Sequence, residues 1–180
     1  MPVLEKHAID AVALQSFMKA NVPGFEGEIS IEEFKGGQSN PTYKIVSPSK
    51  SYVLRRKPPG KLLKSAHAVD REYRVITALN KTEVPVPTSY ALCEDDSIIG
   101  TAFYLMEFMD GRVLWDASMN GHSKEESYGV YASMNSTMAA LHSVDPYEIG
   151  LETFGKPGNY VGRQVSIWTK QYQDSETEEI

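Results

Sequence analysis

Apolar residues in this chain recur at spacings that change along its length, and each change marks an element. From Ala8 to Ala20, Ile9, Val12, Ala13 and Phe17 fall at helical spacing, and Asn21, Pro23 and Gly24 supply the stop. Between Glu28 and Phe34, Ile29, Ile31 and Phe34 nearly alternate with acids, which predicts a strand. Thr42 to Val46 and Ser51 to Arg56 predict two more, the latter with β-favouring Tyr52 and Val53; Ser47-Pro48-Ser49 is the hairpin turn between them. "KPPGKLLK" is a loop, because Pro58-Pro59-Gly60 neither continues a strand nor opens a helix. Ala68 to Asn80 is helical, with Val69, Tyr73, Ile76 and Leu79 on one stripe. Pro85 and Pro87 hold the next segment extended. Ser89 to Glu94 and Ala102 to Phe108 read as two further strands, joined by the polar turn Glu94 to Ser97.

The pattern then turns helical. Ser123 to Leu141 opens with a capping box, Ser123 and Glu126, and carries the stripe Tyr131, Met134, Met138 and Leu141, which reads as core. "RQVSIWTKQY" is helical within an otherwise loop-rich end. The order is helix, three strands, helix, two strands, helices. It predicts an α+β fold: a five-stranded antiparallel sheet with one helix inserted between strands three and four, followed by a helical part.

Composition narrows the class. The 180 residues suit one domain or two small lobes, and 41% hydrophobic with 23% charged is ordinary for a folded protein. A net charge of −6 argues against a general nucleic-acid or membrane binder. No apolar run approaches the length of a membrane span, and the first residues contain no apolar signal region. Cys93 is the single cysteine, so no internal disulfide can form; the expected setting is the cytoplasm or another reducing compartment, not secretion. Cys93 reads as a buried thiol, and His7, His67 and His122 show no metal-ligand spacing.

Charge is unevenly placed. Lys35 to Arg74 contains ten Lys or Arg and two acids, a local balance of +8, while the last seven residues hold four acids and no base. The basic stretch follows the turn Gly36-Gly37-Gln38-Ser39-Asn40. Such a turn lets backbone N–H groups approach phosphate oxygens, although two glycines at a hairpin are by themselves an ordinary turn. Val53 and Arg55 share one strand face by the two-residue period, and Glu72 lies on the inserted helix. Element order and residues together match a protein-kinase-like N-lobe, in which that strand carries an apolar residue over adenine and, two residues on, a cation at the phosphates.

The segments "FKGGQSNPTY", "YVLRRKPPGKLL", "AHAVDREYRV", "VPVPTSYALC", "FYLMEFMDGRVL" and "RQVSIWTKQY" resemble the aminoglycoside-phosphotransferase-like (choline-kinase-like) family. They are especially similar to kinase-like domains fused to, or encoded beside, certain acyl-CoA dehydrogenases. The resemblance runs from about Ile29 to Tyr172. It implies a nucleotide-binding N-lobe over residues 1–108 and an incomplete helical C-lobe over 109–180. Ser39 and Asn40 belong to the implied nucleotide loop, Arg55 takes the place of the strand-three lysine and Glu72 is its partner. Met106, Glu107, Phe108 and Met109 form the implied hinge that meets adenine through backbone groups. The implied cofactor is ATP with Mg2+, with GTP left open, and the implied partners are a small-molecule acceptor and an acyl-CoA dehydrogenase domain or neighbour. Arginine is not a neutral replacement for lysine, and Arg56 or Lys57 could meet the phosphate instead.

The family's chemistry depends on a loop of form H-x-D-x-x-x-x-N and a later magnesium-holding Asp. None of the four histidines is followed by Asp two residues later, and none of the eight aspartates by Asn five residues later. In the family that loop follows the "WTKQY" segment, so the magnesium ligands are expected beyond residue 180 and the chain reads as the N-terminal portion of a phosphotransferase. The alternative is a non-catalytic interaction or scaffold domain of kinase-like shape.

Overall fold

A computed structural model of the chain describes residues 8–34, 40–60 and 67–175. Its first helix, α1, spans Ala11–Asn21, three residues later than the spacing alone suggested, because Asp10 caps it by accepting from the amides of Val12 and Ala13. The buried stripe of α1 is Leu14 and Met18, flanked by half-buried Ile9 and Phe17; Val12, expected on that stripe, is 77% exposed. The cap sets where the helix starts and so which residues face inward.

Five strands follow: β1 Ser30–Glu33, β2 Thr42–Val46, β3 Ser51–Arg56, β4 Ser89–Cys93 and β5 Phe103–Glu107. They form one antiparallel sheet in the order β1-β2-β3-β5-β4. Helix α2, Val69–Leu79, lies between β3 and β4 in the chain, and α3, Lys124–His142, and α4, Tyr160–Ser175, complete the described elements. The expected α+β arrangement is therefore present, including the capping box of α3.

Both sheet faces are covered. On one, Leu14 and Met18 of α1 pack on Tyr43, Ile45, Tyr52, Leu54, Phe103 and Leu105. On the other, Val69, Tyr73 and Ile76 of α2 pack on Leu92, Ala102, Tyr104 and Met106. Double coverage is why β3 is buried at nearly every position rather than at alternate ones. Cys93 is buried as expected, on the α1 side, and burial pushes its thiol up.

The helices after the sheet differ from expectation. Tyr131, Met134, Met138 and Leu141 of α3, read as core, are between 44% and 55% exposed. Periodicity defines an apolar face but not what covers it, and among the described residues nothing buries this one. The segment between α3 and α4 is tied to α2 by two arginines one turn apart. Arg71 donates to the Phe154 carbonyl at 3.1 Å and lies over the Phe154 ring; Arg74 donates to the Gly150 carbonyl and to Thr153 Oγ1.

Candidate nucleotide site

Strand register brings the site together. On the face toward α2, Thr42, Arg55 and Tyr104 stand side by side across β2, β3 and β5, and Lys44, Val53 and Met106 form the adjacent row. The two rows are two residues apart along each strand, about 7 Å. One row is polar and cationic; the other is largely apolar.

Glu72 reaches the polar row from the first turn of α2. Its Oε2 lies 2.7 Å from Arg55 Nε and accepts from the Tyr104 hydroxyl at 3.1 Å. Its Oε1 accepts from Asn40 Nδ2 at 2.9 Å. The Arg55 Nε–H is not aligned on the carboxylate, so this contact is ionic rather than a directed hydrogen bond. Arg55 Nη1 also donates to Thr42 Oγ1 at 3.3 Å. Burial, and the Glu72 charge beside it, push the Tyr104 hydroxyl far above its ordinary range, so it stays a neutral donor. The expected ion pair between strand three and the inserted helix thus exists, with Asn40 and Tyr104 completing the carboxylate's partners.

Arg55 and Glu72 are each about one-third exposed, and both line a cavity of about 720 Å³ together with Asn40, His67, Arg71 and Phe154. A guanidinium is a planar fork of five N–H donors. With one side held by Glu72 and Thr42, its remaining donors suit an anion in the cavity, where a charge-assisted contact is stronger than in open water.

The register also separates neighbours in sequence. Arg56 points to the opposite face, is 4% exposed, and donates through Nε to Thr101 Oγ1 at 2.8 Å and through Nη2 to the Ile99 carbonyl at 3.0 Å. It is a structural arginine and cannot reach an anion beside Arg55. Lys57 continues the strand through its backbone, its amide donating to the Ala102 carbonyl. Gly36, Gly37, Gln38 and Ser39 lie outside the described residues, as do Lys61 and Lys64.

In the middle of the apolar row, Val53 is buried opposite Met106. Of the four expected hinge residues, Glu107 is turned to β4: its amide donates to the Thr88 carbonyl at 2.8 Å, and its carboxylate accepts from the Thr88 amide and hydroxyl. Those bonds hold the Glu107 carboxyl below its ordinary range. Phe108 stacks on Phe34, ring centres 6.3 Å apart, with Lys44 Nζ 4.1 Å above the Phe108 ring. Met109 is 64% exposed.

Sequence reasoning passed over Thr42, Tyr104, Lys44 and His67. The strand period places Thr42 and Lys44 on one face of β2, but only the register sets that face beside Arg55. No group of three His, Cys, Asp or Glu among the described residues is arranged to hold a metal ion.

Comparison with known proteins agrees with this fold. The model of the phosphotransferase enzyme family matches residues 30–180. A probable acyl-CoA dehydrogenase of Arabidopsis thaliana, IBR3, is 47% identical over 96% of this chain, and acyl-CoA dehydrogenase family member 10 of Mus musculus is 45% identical over 99%. The chain spans only 22% and 17% of those two proteins. A crystal structure from Ralstonia eutropha, assigned provisionally to the aminoglycoside phosphotransferases, is 53% identical with a TM-score of 0.79, covering 96% of this chain and 50% of that one. Sheet order, the inserted helix and the matched residues together show that the chain belongs to the phosphotransferase enzyme family, as a kinase-like domain homologous to a segment of these acyl-CoA dehydrogenase proteins.

Proposed function

We propose that this chain forms the nucleotide-binding part of an ATP-dependent phosphotransferase whose intact protein moves a γ-phosphoryl group to a hydroxyl of a small molecule. The observation that carries this reading is the Arg55–Glu72 pair standing one cross-strand row from Val53 and Met106. That spacing suits a ligand with an apolar base at one end and phosphates at the other. Arg55 binds phosphate oxygen, Glu72 and Thr42 hold its guanidinium in place, and Val53 and Met106 cover the base. ATP with Mg2+ supplies the activated phosphoryl group, and transfer is then chiefly a matter of positioning and charge stabilisation. Because related proteins are named as acyl-CoA dehydrogenases, the acceptor we propose is a hydroxy acid or its CoA ester.

Titration of the intact protein with Mg-ATP tests this. Arg55→Ala is expected to weaken binding about 10- to 100-fold, because a charge-assisted contact in a partly closed site is worth about 1.5–3 kcal/mol. Lys50→Ala, at the exposed β2–β3 turn, is expected to change it by less than about fivefold, since exposed charges give about 0–1 kcal/mol. Equal small losses would mean that the basic stretch is only a solvated face.

A further inference from the structure

We infer that His67 is a positioning residue for the nucleotide site, acting through the side-chain amide of Asn40. The inference rests on the nucleotide-binding reading above. Asn40 is 4% exposed, and its Nδ2 donates to Glu72 Oε1 at 2.9 Å. A carboxylate only accepts, so the amide must turn its NH2 toward Glu72 and its oxygen away. That oxygen lies 2.7 Å from His67 Nδ1. Nδ1 must therefore carry the proton, and the imidazole is the donor that satisfies an otherwise buried carbonyl.

The result is a chain of contacts, His67 to Asn40 to Glu72 to Arg55. Its first two members lie on different elements. Asn40 leads into β2, with its backbone carbonyl accepting from Thr42 Oγ1 at 3.1 Å. His67 stands immediately before α2, whose N-cap, Ala68, has no side-chain cap. The start of α2 is held instead by the turn at His67, which has a left-handed φ of 58° and whose carbonyl accepts from the Val69 amide. Few side chains adopt that φ readily; His, Asn and Asp are among those that do. His67 thus meets two requirements at once, a left-handed backbone and an N–H donor aimed at Asn40.

Without the donor, the Asn40 oxygen is left buried and unpaired, and the amide is free to rotate its NH2 off Glu72. Glu72 Oε1 then competes for Arg55, and the guanidinium loses the orientation that leaves its free donors facing the cavity. Arg71 also lines this cavity, but its guanidinium is engaged by Phe154. It does not replace the missing donor.

The test separates donor from backbone. His67→Gly accepts the left-handed φ but has no donor. His67→Asn keeps tolerance of that φ and offers an amide N–H near the position of Nδ1. His67→Asp is nearly isosteric with Asn but can only accept, and so opposes the Asn40 oxygen. Each variant of the intact protein is melted to confirm folding and then titrated with Mg-ATP. His67→Gly and His67→Asp are expected to raise Kd about 5- to 10-fold, the worth of one hydrogen bond, and His67→Asn to stay within about twofold of wild type. A purely structural role would lower the folded fraction without changing the Kd of the molecules that fold. If His67→Gly does not fold, the Asn and Asp pair still decides the matter, since they differ only in donor against acceptor. Equal Kd values for Asn and Asp, with wild type binding normally, would overturn the role of His67 alone. Wild type failing to bind Mg-ATP would overturn the nucleotide-binding reading and this inference with it.

Discussion

Arg55 and Arg56 are adjacent in sequence, yet the two-residue strand period sends them to opposite faces and to different roles. Arg56 is enclosed with Thr101 and the Ile99 carbonyl. Arg56→Ala is expected to cost about 2–3 kcal/mol in urea denaturation, from a cavity and a buried carbonyl left without its donor, while the folded protein keeps its Mg-ATP affinity within about twofold. The reverse outcome, stability kept and affinity lost, would exchange the roles assigned to the two arginines. Glu107 gives a pH-dependent counterpart. Its carboxyl is held low by the Thr88 amide and hydroxyl, so the native state favours the ionised form more than the unfolded chain does. The stabilisation is fully present above the unfolded value of about 4.3 and is lost as pH falls through the lower folded value. The stability advantage of wild type over Glu107→Gln should therefore shrink between neutral pH and the acid side of that range. A constant difference in denaturation midpoints across the range would remove this account.

At the level of elements, local signals decided a good deal. The capping box of α3 is readable in the sequence because Ser123 and Glu126 are three apart, and the structure contains both of its bonds. Ser123→Ala should cost about 1 kcal/mol, read as a lowered midpoint in denaturation followed by far-UV circular dichroism, and no change would mean that the cap is replaced by solvent at no cost. The start of α1 was less legible, since the apolar spacing runs back through Ala8 and only the Asp10 cap ends it. The apolar stripe of α2 was legible because Val69, Tyr73, Ile76 and Leu79 all fall on the buried side. Its ties to the segment after α3, through Arg71 and Arg74, were not: they span more than seventy residues of sequence.

Across the whole molecule, burial is concentrated in the sheet and the two helices that cover it. Helices α3 and α4 have no buried residue, and Met134, Met138, Ile167 and Trp168 are each at least 46% exposed. Folded monomers rarely present such apolar area. Residues 1–180 produced alone are expected to self-associate, seen by size-exclusion chromatography with light scattering. A monodisperse monomer with an ordinary cooperative melt would show that these faces need no cover.

By itself the sequence determined the elements and their order, because helix and strand periods, caps and proline–glycine punctuation act over a few residues. It also placed Val53 and Arg55 on one face and put Glu72 on the inserted helix. Tertiary structure alone decided which face of the sheet met α2; it formed the Arg55–Glu72 pair that the resemblance implied and enclosed Arg56 on the other face. It also brought Thr42, Tyr104 and His67 to the same site. The reason is physical: these partners lie on different strands and helices, and their meeting depends on strand register and on which sheet face each helix buries. Those choices are settled by the packing of the whole core, not by any short stretch of chain.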